Sequence, residues 1–319
     1  MMLGARTAAW AKSGSPTPAA YGGLCFTAEA DNSSVQLTAV GSAPAVTLVK
    51  SFDGVNWEAY AVGEVIDLPS VGDFVYLAAG EGGNETFGSS LSAYHNFVIN
   101  GLVAASGDIT SIRRFDLEQT TLATYCYISM FDGCTGLTGA PELHATTLAT
   151  NCYRSMFSGC TGLTSAPELP ATTLVISCYY NMFNGCTGLT NAPELPATTL
   201  GIGCYYSMFS GCTGLTSAPE LPATTLEKFC YNSMFKGCTG LTSAPELPAT
   251  TLESRCYSTM FNGCTDLSLI KVHFTAWGAQ TINWVSNVSP TGTFYKPSAL
   301  SEEFGESKIP TGWTVVNVD

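Results

Sequence analysis

The residues of this chain best suited to chemistry are its 13 cysteines, and 12 of them follow one rule. They form pairs eight residues apart, from Cys126 and Cys134 to Cys256 and Cys264, while Cys25 stands alone. Zinc sites favour C-x-x-C spacing, which is absent, and disulfide scaffolds have a higher density of cysteine. The pattern predicts small, buried, apolar side chains with mostly free thiols, at one place in a repeated unit.

The histidines and carboxylates show no spacing that is typical of a catalytic site. The histidines are His95, His144 and His273, and neither H-E-x-x-H nor a P-loop, G-x-G-x-x-G or G-x-S-x-G motif occurs. One carboxylate recurs per unit, at Glu142, Glu168, Glu194, Glu220 and Glu246. Like charges repel at such spacing, so this row predicts a solvated edge rather than an acid–base pair or a calcium site. We therefore predict no enzyme activity, no cofactor and no metal site.

Charge and hydropathy exclude two further classes of function. The net charge is -13, and the 12 Lys and Arg residues are scattered, whereas nucleic-acid binding needs clustered basic side chains. No 18 consecutive residues are apolar, so a membrane span is not predicted. Near the N-terminus the apolar stretch at residues 7–11 is short for a secretion leader, and we expect none.

A fixed period of 26 residues defines the middle of the chain. Six copies begin at Cys126, Cys152, Cys178, Cys204, Cys230 and Cys256, and the fourth reads CYYSMFSGCTGLTSAPELPATTLEKF. This period lies within the range of leucine-rich repeats. A single unit cannot bury its own apolar face, so the copies are predicted to stack as the coils of a solenoid.

Within one coil the spacing predicts a helix followed by a strand. Apolar residues at i, i+4, i+8 and i+9 mark one helix face: Leu148, Cys152, Met156 and Phe157. Gly159 is placed to end that helix in a left-handed conformation. Residues 163–166 then predict a short strand, because two prolines follow closely. The predicted fold class is an α/β repeat solenoid, leucine-rich-repeat-like, with six 26-residue coils.

The sequence divides into four segments. Residues 1–20 are predicted as a leader or linker, 21–110 as an N-terminal β-sandwich domain, 111–275 as the solenoid, and 276–319 as a C-terminal cap that covers its open end. The β-sandwich rests on seven short runs of β-branched and aromatic residues between turn signals. These runs are residues 24–30, 34–40, 45–52, 57–62, 65–68, 74–78 and 96–102.

Three features are candidates for recognition, and each has a simpler structural alternative. The segment from Ser51 to Trp57 resembles the Asp-box turn of glycan-active β-proteins, although Asp53-Gly54 is also a good hairpin turn. Tyrosines that follow the first cysteines could stack on sugars, but a buried ladder between coils is favoured. Positions that differ among copies form a predicted outer stripe, which is either a tunable recognition face or an exposed surface free to drift.

Large aromatic side chains often dominate binding energy, and they concentrate beyond residue 276. Trp277, Trp284, Tyr295 and Trp313 are therefore candidate binding residues, although some must be buried to cap the solenoid. The repeats themselves offer small hydroxyls instead.

The repeat unit resembles a known family. Its Met-Phe-x-Gly-Cys and Leu-Thr-x-Ala-Pro-Glu-Leu-Pro segments are similar to the BspA-like leucine-rich-repeat proteins of gut bacteria and their phages, over roughly residues 108–319. The segment from Thr291 to Trp313 looks like the terminal segment of such proteins. The resemblance implies surface attachment or recognition rather than catalysis.

Without a secretion leader, the resemblance favours a phage version of the family. We expect a non-enzymatic recognition or structural component of a phage particle, located in the virion, with a bacterial cell-surface adhesin as the alternative. Expected partners are a host surface glycan or protein, other virion or surface proteins, and a further copy of the chain in a homo-oligomer.

Overall fold

The computed structural model of the protein describes residues 23–114 and 120–318. The predicted leader, residues 1–20, lies outside the described residues. Within the described ranges the chain is rich in strands and has two short 3₁₀ helices, Ile109–Ile112 and Ala279–Thr281, but no α-helix. None of these helices is long and apolar enough to cross a membrane.

Thirteen strands occur in the described residues, in three open sheets. They are β1 (Cys25–Ala28), β2 (Ser33–Val40), β3 (Leu48–Ser51), β4 (Glu58–Tyr60), β5 (Val65–Leu68), β6 (Phe74–Ala79), β7 (Gly88–Ser90), β8 (Ala93–Asn100), β9 (Val103–Ser106), β10 (Leu137–Gly139), β11 (Leu269–Lys271), β12 (Thr293–Lys296) and β13 (Thr314–Asn317).

Two of the sheets form the N-terminal part of the molecule. Their strand orders are β10-β9-β1-β6-β3-β4 and β5-β2-β8-β7. Pairing is antiparallel except between β10 and β9, which are parallel. The ring of Phe26 on β1 lies 4.9 Å from that of Phe97 on β8, so the two sheets pack against each other around one core.

Most of the predicted strands of this region are confirmed. The first six runs each overlap one strand, β1 to β6, although β2 begins one residue before its run and β6 ends one residue after its run. The seventh, residues 96–102, is shifted: β8 ends at Asn100, the chain turns at Gly101 with φ +75°, and β9 begins at Val103. The strands β7 and β9 escaped prediction because their small residues carry little strand preference.

The helix predicted in each coil is wrong, because the chain forms a run of turns there. In the second repeat the N–H of Cys152 donates to the Ala149 carbonyl (3.2 Å), whereas the N–H of Tyr153 donates to Cys178 in the next coil (3.0 Å). This alternation continues through residue 160. Half of the backbone N–H groups therefore donate to a neighbouring coil. In a helix they would instead donate to carbonyls within the same segment. We call residues 149–160 and their equivalents the turn segment.

Left-handed residues at every fourth position explain this outcome. Asn151, Ser155 and Gly159 have φ values of +57°, +54° and +71°, which a right-handed helix cannot contain. The left-handed conformation predicted for Gly159 is thus confirmed, although no helix precedes it. Buried residues follow as adjacent pairs every four positions, beginning with Cys152 and Tyr153. Over twelve residues a period of four is hard to distinguish from the helical period of 3.6.

The predicted strand of each coil is confirmed only in part. Coil 1 contains β10 and the end of coil 6 contains β11, whereas the described middle coils form isolated bridges such as Ser165 with Asn191. Proline lacks the N–H that a longer strand ladder needs, which limits the length of the strand in each coil.

Each coil is numbered here from three residues before its first cysteine, so that coil 1 begins at Ala123 and coil 6 at Glu253.

Sheets and core continue across the predicted segment boundaries. At one end β10 of coil 1 extends the N-terminal sheet, and at the other β11, β12 and β13 form one parallel sheet. A single cluster of buried apolar side chains runs from Leu24 to Trp313. The repeats are therefore packed against both flanking parts.

Candidate functional site

Two aromatic ladders run through the interior of the repeats. Equivalent tyrosine rings of successive coils lie 5.7–6.0 Å apart and equivalent phenylalanine rings 5.4–5.8 Å apart, all nearly parallel. The tyrosines are Tyr127, Tyr153, Tyr179, Tyr205, Tyr231 and Tyr257. None of them is more than 1% exposed, so the buried-ladder alternative is confirmed and these rings offer no surface to a sugar.

Aromatic residues of the flanking parts cover both ladders at the N-terminal end and the phenylalanine ladder at the C-terminal end. Phe87 stacks on Tyr127 and Phe97 on Phe131 at the N-terminal end, with centroids 6.2 Å and 5.1 Å apart. At the other end Trp284 lies 6.1 Å from Phe261. These three ends are thus covered by side chains that the sequence analysis assigned to separate segments, whereas Tyr257 ends on Phe274 of the same segment, with centroids 6.3 Å apart.

All 13 cysteines are buried free thiols. The second cysteine of each unit donates its S–H to a phenylalanine carbonyl, as Cys160 does to Phe131 at 3.0 Å and Cys186 to Phe157 at 3.0 Å. Burial raises the pKa of Cys186 to about 12. These thiols are therefore protonated donors at neutral pH, and they lack the thiolate character that nucleophilic catalysis requires.

The carboxylate row is exposed in each of coils 1 to 5, at Glu142, Glu168, Glu194, Glu220 and Glu246. Its two ends have basic neighbours: His144 lies 2.9 Å from Glu142, and Lys271 lies 2.9 Å from Glu246. Hydrogen bonds from Lys271 and His273 hold the pKa of Glu246 below its usual value. The row is a solvated edge, which agrees with the sequence prediction.

The Asp-box-like segment is a hairpin turn between β3 and β4. The carboxylate of Asp53 accepts the N–H groups of Asn56 (2.7 Å) and Val55 (2.8 Å) and the hydroxyl of Ser51 (2.9 Å). The bond from Asn56 is the main reason that the pKa of Asp53 falls to about 2. This carboxylate is fully committed to holding the turn.

The structure corrects two of the four aromatic candidates in the C-terminal part. Trp284 and Trp313 are only 0% and 4% exposed, and their indole N–H groups donate to the carbonyls of Lys308 and Ser289, both at 2.8 Å. They are part of the buried core of the C-terminal part, so they cannot contact a ligand in the folded state. Trp277 and Tyr295 remain partly exposed.

Sequence reasoning missed a stack of side chains on the outside of coils 2 to 4. The Arg154 guanidinium lies 3.8 Å from the ring centroid of Tyr180, and the rings of Tyr180 and Tyr206 are 4.5 Å apart at an angle of 4°. These three residues occupy one of the variable positions. The predicted outer stripe is itself mixed, since Ile128, Asn232 and Ser258 at the same position are buried.

Within residues 23–114 and 120–318 no group of three or more His, Cys, Asp or Glu side chains is arranged to hold a metal ion. Comparison with models of protein families, with curated proteins and with solved structures gave no significant match.

Proposed function

We propose that the chain is a non-enzymatic recognition or structural component of a phage particle, such as a fibre or receptor-binding subunit. In this proposal a leucine-rich-repeat-like solenoid carries a β-sandwich at one end and a cap at the other. The observation that carries the proposal is the stacking of near-identical coils on continuous ladders, because such an array can change in length while its ends stay intact. The resemblance of the repeat to BspA-like proteins of gut bacteria and their phages supports a role at a surface or on a particle.

Recognition of a host surface glycan or protein is assigned to the ends of the array. Trp277 is the strongest remaining candidate, since it keeps part of its ring exposed and has Lys308 Nζ 5.5 Å from its centroid. An aromatic ring beside an ammonium group is a frequent element of binding surfaces. The regular faces of the coils carry mainly small hydroxyl groups and act as a spacer.

The test is to label purified particles with an antibody against this chain and to measure adsorption of mutant particles to host cells. We expect labelling at a fibre or vertex, at least tenfold weaker adsorption with Trp277→Ala, and nearly unchanged adsorption when residues 230–255, one whole period, are deleted. Label on bacterial envelopes but not on particles would instead favour the adhesin. Loss of adsorption on deleting the coil, in a protein that still folds, would make the array the binding surface.

A further inference from the structure

Three polar side chains or carbonyls of the C-terminal part surround Trp277. The indole N–H of Trp277 donates to the Ser301 carbonyl (2.9 Å), and the Ser301 hydroxyl donates to Glu303 Oε1 (2.6 Å). Lys308 Nζ lies 2.9 Å from Glu303 Oε2 and 5.5 Å from the centroid of the Trp277 ring. These four residues form a closed set of contacts, which we call the tryptophan cluster.

The ring of Trp277 is held in place by aromatic residues of the core. Its centroid lies 5.3 Å from that of Phe274 and 6.2 Å from those of Trp284 and Phe294, which are all buried. Since the indole N–H is already bound to Ser301, the exposed part of the ring offers only carbon to a ligand. A ring that is fixed before binding loses little conformational entropy when a ligand packs on it.

The centre of this ring is not covered by the ammonium group beside it. Lys308 Nζ is 5.5 Å from the centroid, whereas the Arg154 guanidinium lies at 3.8 Å from the centroid of Tyr180. Atoms in van der Waals contact are about 3.5–4 Å apart. Arg154 therefore occupies the ring face of its tyrosine, while Lys308 stands further from the centre of the Trp277 ring.

The ion pair beside the ring keeps hydrogen-bonding capacity. An ammonium group has three N–H donors, and each carboxylate oxygen has two lone pairs. Among the described residues, the side chain of Lys308 binds only Glu303, and each Glu303 oxygen accepts a single bond. Hydrogen bonds from Ser301 and Lys308 lower the pKa of Glu303, so the carboxylate is an ionised acceptor at neutral pH. Both groups are also accessible, with side chains 29% exposed for Lys308 and 50% exposed for Glu303.

A donor and an acceptor side by side next to an aromatic ring match the chemistry of a neutral sugar. A hydroxyl group both donates and accepts, so one of two hydroxyls on adjacent carbons accepts from Lys308 while the other donates to Glu303. Two such hydroxyl oxygens are separated by about the same distance as Nζ and Oε2, and the C–H groups of the sugar pack on Trp277. An ionic ligand is disfavoured because the charges of the pair cancel. A partner protein would place charged groups at the rim of an apolar centre, whereas this ion pair stands beside the ring itself.

We propose that the tryptophan cluster is a binding subsite for a neutral sugar unit with two free vicinal hydroxyl groups. The inference rests on the recognition role proposed above and names the class of ligand that is recognised. In this subsite Trp277 provides the packing surface, Lys308 the donor and Glu303 the acceptor, while Ser301 orients both the indole and the carboxylate. A single sugar makes few contacts, so the suitable probe is a polymer that presents many units.

The experiment is affinity electrophoresis of the full chain through gels that contain mannan, dextran or amylose, which are neutral and carry vicinal hydroxyls. We expect at least one polymer to retard the chain. Mild periodate cleaves the bond between the two hydroxyl-bearing carbons, and borohydride then reduces the aldehydes to alcohols, so the polymer stays neutral. This treatment should weaken binding at least tenfold, whereas the matched control, polymer treated with borohydride alone, should bind as before.

Substitutions then locate the subsite. Trp277→Ala, Glu303→Ala and Lys308→Met should each weaken binding at least tenfold. The matched control is Glu302→Ala, because Glu302 is an exposed neighbouring carboxylate without a basic partner among the described residues, and it should leave binding unchanged. Thermal unfolding of every variant checks that the C-terminal part still folds.

Three results overturn the inference: no retardation by any of the polymers, retardation that survives periodate, or an equal loss of binding with Glu302→Ala and Glu303→Ala. Adsorption to host cells that depends on Trp277 but survives periodate treatment of the cells also overturns it and identifies a protein as the ligand, while the proposed function stands. The proposed function fails separately, if particles carry no label, and retardation by the polymers decides the sugar subsite in either case.

Discussion

At the scale of single residues, the hydroxyl groups of the tyrosine ladder are the least well satisfied polar groups. In the described part of the chain, four of them are buried without a hydrogen-bond partner: Tyr127, Tyr153, Tyr179 and Tyr231. A buried hydroxyl without a partner lowers stability by about 1–3 kcal/mol. The tyrosine rings therefore stabilise the fold through their stacking and volume rather than through their hydroxyl groups.

This leads to a prediction for Tyr179→Phe. Because the change removes an unpartnered hydroxyl and keeps the stacked ring, we expect the free energy of unfolding to rise by about 1 kcal/mol. The matched control is Tyr60→Phe, since the Tyr60 hydroxyl accepts from the Leu37 N–H (2.8 Å) and donates to the Glu64 carbonyl (2.9 Å). That change should lower stability by about 1–2 kcal/mol. Urea unfolding measures both, and a loss at Tyr179 as large as at Tyr60 would contradict the account.

At the scale of the element, the turn segment makes the coils interchangeable. Met182 and Met208 occupy the same place in coils 3 and 4, and each is 0% exposed. Replacing either by alanine removes buried atoms from nearly the same surroundings, so we expect each change to lower stability by about 2–5 kcal/mol. Denaturant unfolding of the two variants should give similar losses. A loss at one site that is tenfold smaller would show that the coils are packed differently.

Sequence reasoning reached the period, the buried positions and the left-handed glycine of this element, but not its backbone. The apolar spacing that marks Met156 and Phe157 as buried fits both a helix and a run of turns. The decisive feature is a left-handed backbone at serine and asparagine, as at Asn151 and Ser155. Serine has little preference for that conformation, so residue type alone gave no signal. The hydrogen bonds to the next coil impose it.

The candidate site was less predictable than the fold, because it depends on contacts between residues that are distant in sequence. Aromatic residues beyond residue 276 look alike in sequence, yet Trp284 and Trp313 fill the cap while Trp277 keeps an exposed edge. Which tryptophan closes the array depends on packing over the last coil, which no local pattern encodes. The stack of Arg154 on Tyr180 likewise depends on contact between coils.

At the scale of the whole molecule, the buried thiols make stability depend on alkaline pH. Burial raises the pKa of Cys25 from 9.0 to about 11 and that of Cys134 from 9.0 to about 12. In the unfolded chain these thiols ionise near pH 9. Because the folded pKa is the higher one, the stabilising contribution is complete below pH 9 and is lost as pH rises toward the folded value.

Each such thiol lowers stability by about 1.4 kcal/mol per pH unit in this window. With 13 buried thiols, the combined loss of stability over one pH unit exceeds the total stability of about 5–15 kcal/mol that is usual for a folded protein. We therefore expect cooperative unfolding between about pH 9 and 11, seen by circular dichroism in the presence of a reductant. A signal that is unchanged up to pH 12 would mean that the thiols are not buried as described.

The hydrogen bonds between coils also determine how the molecule responds to force. They connect each turn segment to the next coil and therefore run along the length of the stack. When tension is applied at the two ends of the chain, the hydrogen bonds of one coil break before those of the next coil. Each coil that peels away releases 26 residues and about 90 Å of extended chain, so the array yields in steps and lengthens considerably before it breaks.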